Sequence, residues 1–397
     1  MACMVRHNVP FNRPFIVGNE LNYVSEAVTR GNIAADGYFT RQCAEVLQQA
    51  LDVRRALLVR SCTAALEMAA MLCELQAGDE VILPSFTSVS AANAFARLRA
   101  KLVFVDIRPD TLNMDERLIE EAITPRTKVI VPTHYAGVAC EMNRVMELAE
   151  EHGLIVIEDA AQAMLARHEG RPLGSIGHFA ALSFHETQNY TCGEGGALCV
   201  NRPEYEARAE IIRDKGTNRK AFFRGEVDKY TWVDAGSSYV LSEIACAFLF
   251  GQLEHLEPIA EGRRRIYDYY QQRLSPLEEE GLLRLPVVPE VCNPSHHMFH
   301  VLLPDEETRD ELLDGLQKQG IDAVFHYVPL HQSPMGKKFG RATALPVTED
   351  CAARLVRLPF FYEITRDQQE VVVECVGRIL KKRRSSPQAA RSASGEA

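Results

Sequence analysis

The sequence predicts an α/β fold with a mostly parallel central sheet and a smaller α+β domain at its C-terminal end. Three observations predict it. Up to Gly174, short apolar runs alternate with helix-compatible stretches, and the runs are apolar throughout, as in a sheet covered on both faces. Beyond Gly174 the strands shorten and long helical stretches lead into a second set of elements. The length of 397 residues exceeds one ordinary small domain and suits a large domain with a smaller one. The expected division is a large domain over 1–257, a small domain over 258–383 and a disordered tail over 384–397.

The elements follow in order. The strand Ala56–Arg60 gives way at Ser61-Cys62-Thr63 to a helix over Ala64–Leu75, and Gly78-Asp79 turns the chain into the strand Glu80–Leu83. Strands are expected at Leu102–Asp106, Lys128–Pro132 and Leu154–Asp159, the last preceded by a helix over Met142–His152 that stops at Gly153. Shorter strands are expected at Phe179–Phe184 and Gly196–Val200, then helices over Leu241–Glu257 and Arg263–Leu274. The second domain should contain a strand near Met298–Leu303, a helix over Glu307–Gly320, a strand over Asp322–Tyr327 and a last helix over Arg366–Lys382. The remaining Ser-, Arg- and Ala-rich tail has no apolar period, hence the expectation of disorder.

Apolar residues make up 46% and charged residues 25%, the balance of a soluble globular chain. The net charge of −10 argues against nucleic acid or an anionic membrane as the main partner, but leaves room for a small anion held locally. No apolar run approaches the length that spans a bilayer, and the opening residues lack a signal-peptide core. Eleven cysteines without a CxxC pair indicate neither a zinc site nor a disulfide framework, so a cytoplasmic home is expected.

Three islands carry the chemistry. Ser61-Cys62-Thr63-Ala64-Ala65 lies at a strand-to-helix junction, where free N–H groups and two hydroxyls form a phosphate cup; the same residues also suit an ordinary helix cap. Glu158-Asp159-Ala160-Ala161-Gln162 closes the apolar strand, placing Asp159 where α/β proteins bind ligands. Asp159 there suits pairing with a protonated pyridine nitrogen, with Gln162 near a ring oxygen; a helix N-cap is the even alternative. Ser183-Phe184-His185-Glu186-Thr187-Gln188-Asn189 is followed by Gly193-Glu194-Gly195-Gly196, whose glycines permit close approach of backbone to a ligand. A fourth segment, Pro84-Ser85-Phe86-Thr87, offers Phe86 as a stacking ring or as a core phenylalanine.

Together the islands resemble the DegT/DnrJ/StrS-type sugar-nucleotide aminotransferases over essentially Asn8 to Leu380, reading SCTAAL, PSFTS, EDAAQA and SFHETQN at that family's motifs. The strings DKGTNR, FFRGEVDKYTW, GSSY, HMF and VFHYVPLH resemble the branch that makes dTDP-4-amino-4,6-dideoxygalactose. The resemblance implies a fold-type-I pyridoxal-phosphate (PLP) transferase acting as a homodimer with shared active sites. It implies phosphate held by Thr63, Ala64 and Ser183, Phe86 stacked on the ring, Asp159 at the pyridine nitrogen and Gln162 at the 3-oxygen. Ser238 stands where the family has an asparagine lent by the neighbouring subunit; Arg224, Lys229, Tyr230 and His331 would meet the nucleotide sugar. His296, His297 and His300 are read as packing residues, with no metal expected.

One position breaks the pattern. The family's Schiff-base lysine is Gln188 here, and no lysine occurs between Lys128 and Lys215. An amide is neither a nucleophile nor a useful base. The expectation is noncovalent binding of PLP or pyridoxamine phosphate, with impaired transfer of an amino group from glutamate to a nucleotide-linked 4-keto-6-deoxy sugar. Two alternatives stay open: a lysine-free PLP sugar dehydratase, and a noncatalytic sugar-nucleotide-binding homologue.

Overall fold

The computed structural model describes residues 7–385. Its centre is an eight-stranded sheet: β1 Arg55–Val59, β2 Glu80–Pro84, β3 Lys101–Val105, β4 Thr127–Ile130, β5 Ile155–Asp159, β6 Phe179–Ser183, β7 Gly196–Val200 and β8 Gly340–Ala342. The spatial order is β1-β7-β6-β5-β4-β2-β3-β8. Only β7 runs against its neighbours; every other junction from β6 to β8 is parallel. The seven strands expected in this sheet are all present, with ends shifted by one or two residues.

Alternate residues of these strands enter two different cores. Ile82, Val103, Ile130 and Val156 join one cluster, whereas Val81, Leu83, Val129 and Ile157 join the other. Both faces are therefore dry, which is why the strands read as unbroken apolar runs. A third cluster, including Tyr270, Phe299, Leu312, Val356 and Val376, lies almost wholly within residues 266–380.

The chain crosses the expected boundary in both directions. Val9 packs in the third cluster and bridges Ile321, while Phe15 stacks on Tyr362 with ring centroids 4.7 Å apart. In the other direction, β8 leaves the C-terminal part to pair with β3 at the edge of the central sheet.

Three expectations are corrected. The helix expected over Leu241–Glu257 stops at Leu253, and a new 24-residue helix, Leu256–Glu279, absorbs the one expected at Arg263–Leu274. Pro258 falls in the first turn of that second helix, where its missing N–H costs nothing. The strand expected over Asp322–Tyr327 is absent; a single bridge joins Val324 to Arg357, at the end of the three-residue strand Leu355–Arg357. The final helix runs from Arg366 to Arg384, entered through a capping box of Thr365 and Gln368, so it reaches one residue into the expected tail. The rest of that tail, from residue 386, lies outside the described residues.

Candidate active site

The sheet brings the islands to one edge. Val59 and Ser183 both face Gly196 across the ladder, Asp159 pairs with Ala181, and Thr133 bridges Asp159. The carboxyl ends of β1, β4, β5 and β6 thus meet the start of β7.

At β1 the chain leaves in extended form through Ser61, which caps the 11-residue helix Cys62–Leu72. The Ser61 hydroxyl accepts the Ala64 N–H at 3.1 Å. The cap reading holds, and it corrects one expectation: the Ala64 N–H is already used, leaving those of Cys62 and Thr63 at the open helix end. The Thr63 hydroxyl donates to Ser90 Oγ at 3.0 Å, so Ser90 joins a cradle in which sequence reasoning had not placed it. A Cβ on Gly196 would lie 2.5 Å from the Ser61 carbonyl carbon and 2.6 Å from the Cys62 nitrogen, so only glycine lets β7 run this close.

Asp159 ends β5 and is 5% exposed. Its carboxylate accepts one hydrogen bond, from the Ala161 N–H at 3.3 Å. Burial with so little compensation pushes its pKa up to about 6. The Cys62 thiol is pushed up by burial and then by the Asp159 charge, which places acid and cradle side by side. The neighbouring Glu158 points into the opposite core and is fully engaged: His134 Nε2 at 3.0 Å, with the N–H groups of Gly174, Ile176 and Gly177 at 2.7–2.9 Å.

Gln162 accepts the Ala136 N–H at 2.7 Å and donates to the Tyr327 hydroxyl at 3.3 Å. One amide hydrogen remains for a ligand. Tyr327 lies in the VFHYVPLH string, yet only this contact shows that it reaches the site.

Ser183 ends β6, where its hydroxyl accepts the His185 N–H at 3.5 Å. Gln188 follows in a loop whose N–H bonds to His185 O at 2.9 Å. Its neighbour Asn189 donates to Ser295 O at 2.8 Å and pairs with His297 Nδ1 at 3.1 Å, while the Ser295 hydroxyl donates to Gln162 O at 2.5 Å. Position 188 is therefore held in register with Gln162. Gln188 Oε1 is sealed from solvent and has no hydrogen-bond partner. Such an orphaned carbonyl costs about 1–3 kcal/mol and marks a place for a donor.

Several expected residues lie elsewhere. Phe86 is 1% exposed and packs edge-on against Tyr135 and Tyr327, at 5.1 and 5.4 Å between centroids. It offers no open face, so the core reading replaces the stacking one. His331 is tethered, with Nδ1 2.7 Å from Ser85 Oγ and Nε2 3.0 Å from Glu349. Arg224 pairs with Glu210 at 2.9 Å and Glu226 at 2.6 Å. It shares the wall of a separate cavity of about 1050 Å³ with Arg55, Arg213, Lys220 and the exposed Ser238. The carbonyl of Lys229 accepts from Asn218 at 3.1 Å, and Tyr230 is 53% exposed. Within one chain, none of these four exposed residues bonds to the Asp159 cluster.

His297 faces Asn189, while His296 and His300 pack on Tyr267 and Tyr135. Among the described residues no cluster of His, Cys, Asp or Glu could hold a metal ion, and no helix is long and apolar enough to cross a membrane.

The donor set fits a phosphorylated pyridine. An open helix end suits the phosphate, a poorly compensated acid suits a protonated ring nitrogen, and Gln188 offers an acceptor in place of an amine. A family model described as the DegT/DnrJ/EryC1/StrS aminotransferase family matches residues 14–377. The chain is 32% identical over 390 residues to uncharacterized protein MJ1066 of Methanocaldococcus jannaschii, covering 96% of this chain and 100% of that one. Its fold superposes on the aminotransferase TlmJ of Streptoalloteichus hindustanus with a TM-score of 0.88, at 29% identity over 95% and 100% of the two chains. The putative sugar aminotransferase Spr1654 of Streptococcus pneumoniae, solved in PMP and PLP forms, gives TM-scores of 0.88 and 0.87 at 25% identity. Those superpositions cover 94% and 95% of this chain and 100% and 99% of that one. This chain belongs to the DegT/DnrJ/EryC1/StrS aminotransferase family and has the fold-type-I architecture, a mostly parallel central sheet with flanking helices.

Proposed function

We propose that the chain is a sugar-nucleotide aminotransferase scaffold that binds PLP or pyridoxamine phosphate without a covalent link. Its reaction is transfer of an amino group from glutamate to a nucleotide-linked 4-keto-6-deoxy sugar, impaired by the loss of the lysine. The observation that carries the reading is the meeting of Asp159 and the Ser61–Thr63 cradle at one sheet edge, with a buried, unpartnered Gln188 carbonyl in the loop that leaves β6.

When bound, the cofactor supplies an electron-withdrawing ring that stabilises negative charge on an attached carbon. The chain's own residues have simpler tasks. Cys62 and Thr63 offer N–H groups, and Ser90 and Ser183 offer hydroxyls, to the phosphate. Asp159, buried as a carboxylate, holds a proton at the ring nitrogen. Gln162, fixed between Ala136 and Tyr327, presents its spare amide hydrogen to the ring oxygen. Gln188 fills the length of a lysine but moves no proton. The nucleotide sugar would enter where a second copy brings its exposed Arg224, Lys229, Tyr230 and Ser238, in a homodimer in the cytoplasm.

Restoring the amine tests the reading. Gln188→Lys should give a yellow protein with a borohydride-reducible bond and raise amino-sugar formation by roughly a hundredfold or more, the scale of a general base. A lysine variant that binds PLP yet forms no amino sugar from glutamate would contradict it. Loss of a sugar hydroxyl without amine incorporation would instead support the dehydratase.

A further inference from the structure

Arg213 and Arg263 are the most deeply buried arginines among the described residues, and each has partners. Arg213 pairs with Asp36 at 2.8 Å and donates to Leu58 O at 2.8 Å, with only its Nη2 left unpartnered. Arg263 donates to the carbonyls of His296 and His297 at 3.1 and 2.6 Å. Arg357 is half-buried, and among the described residues its guanidinium makes no hydrogen bond and no ion pair. It ends the strand Leu355–Arg357, opposite His300, and its backbone is locked to Val324 by hydrogen bonds of 2.7 and 3.2 Å. Its Nε is sealed from solvent without a partner, and its terminal nitrogens make no hydrogen bond either but are not sealed. Among the described residues no carboxylate pairs with it.

The surroundings are aromatic and neutral. The guanidinium carbon lies 4.8 Å from the centre of the Phe11 ring. The acidic groups that face it are the hydroxyls of Tyr135 and Tyr327, whose own values are pushed up by burial. His297, His300 and His326 are held neutral by burial and then by the Arg357 charge, so they add none of their own. A guanidinium does not shed its proton at neutral pH, so this charge calls for an anion from outside the chain. The connection to the site is short: the hydroxyl of Tyr327, beside Arg357, accepts from the Gln162 amide, and Gln162 follows Asp159 by three residues.

We propose that Arg357 binds a carboxylate of the amino-acid co-substrate, next to the Tyr327–Gln162 side of the site. This deepens the aminotransferase reading and rests on it. The planar fork matches a carboxylate in two parallel hydrogen bonds. A lone guanidinium walled by neutral rings lacks the further donors that a diphosphate recruits, and the helix end already offers a phosphate its place.

The test uses the full chain with glutarate, an inert dicarboxylate, titrated calorimetrically with and without bound pyridoxamine phosphate. Inorganic pyrophosphate serves as the competing anion. Arg357→Met should weaken glutarate binding roughly tenfold or more, the scale of a lost charged hydrogen-bond pair. Arg357→Lys, which keeps the charge and loses the fork, should fall between. The affinity for pyridoxamine phosphate, read from its absorbance, should be unchanged and also reports that each variant is folded. Equal glutarate binding by the parent and Arg357→Met, or none by the parent, overturns the assignment. So does a loss confined to pyrophosphate, which would make Arg357 a phosphate ligand. Failure of pyridoxamine phosphate to bind would sink the aminotransferase reading instead, while the cofactor-free titration still reads Arg357.

Discussion

Asp159 is an acid that the folded chain holds at a cost. Its carboxyl sits at about 6 against an ordinary value of 3.8 because burial outweighs the one hydrogen bond from Ala161. The folded state therefore binds the proton more tightly than the unfolded one, and stability falls as pH rises from about 4 to about 6. Cofactor-free Asp159→Asn should consequently melt higher than the parent above pH 6, by roughly 2–3 kcal/mol, with the gap closing towards pH 4. Adding PLP should stabilise the parent far more than the variant, because only the parent offers an anion to the ring nitrogen. Thermal melts across pH, with and without PLP, check both halves; a variant less stable than the parent at pH 8 without cofactor would refute the first. At this scale much was legible. The place of Asp159 was readable because it closes an apolar strand at the end of the sheet where α/β proteins bind ligands, and that of Gln188 because it interrupts a string otherwise matched. Phe86 was not, since a phenylalanine after a strand looks the same whether it stacks on a ligand or fills a core. Its burial by Tyr135 and Tyr327 depends on residues about 50 and 240 positions away.

The strands and helices that carry these residues were legible where local pattern dominates. Unbroken apolar runs marked β1 to β5, and Gly153 marked a helix stop that the structure places in the left-handed conformation at φ 64°. What local pattern missed was set by distant partners. Residues 322–327 have strand-like side chains, but the only strand available to them is three residues long and already paired with His300–Leu302. Glu158 shows the same dependence. On balance its pKa is lowered: burial alone would raise it, but His134 and the N–H groups of Gly174 and Gly177 outweigh that. The stability it supplies is complete at neutral pH and is lost as pH falls below the ordinary glutamate range. Glu158→Gln puts an amide NH2 among backbone donors, so it should lower the unfolding free energy by about 2–4 kcal/mol at pH 7, read from urea titrations. The difference from the parent should shrink in acid.

For the whole molecule, the segment after residue 219 carries an unusual surface. Phe222, Phe223, Tyr230, Trp232 and Val233 are all exposed on one chain, Trp232 by 78%. Contiguous apolar surface of this kind is normally covered by a partner. Covering by a second copy would also bring Arg224, Lys229, Tyr230 and Ser238 towards a neighbouring Asp159, which their placement within one chain does not do. Trp232 is the sole tryptophan, so it reports directly. Its emission should move to shorter wavelength as protein concentration rises through the dimerisation range, in step with mass by ultracentrifugation. Water-exposed emission from a proven dimer would place the contact elsewhere. The strand β8 bears on movement. Residues 340–342 are stitched to β3, the helix Leu256–Glu279 leads out of the large body, and Val9 and Phe15 pack back on the far part, so the C-terminal third is fastened at several separated points. A part hung from one linker swings like a gate; one moored at several places cannot. Cutting the chain after Glu279 would therefore remove a rib of the central sheet along with the lobe beyond it.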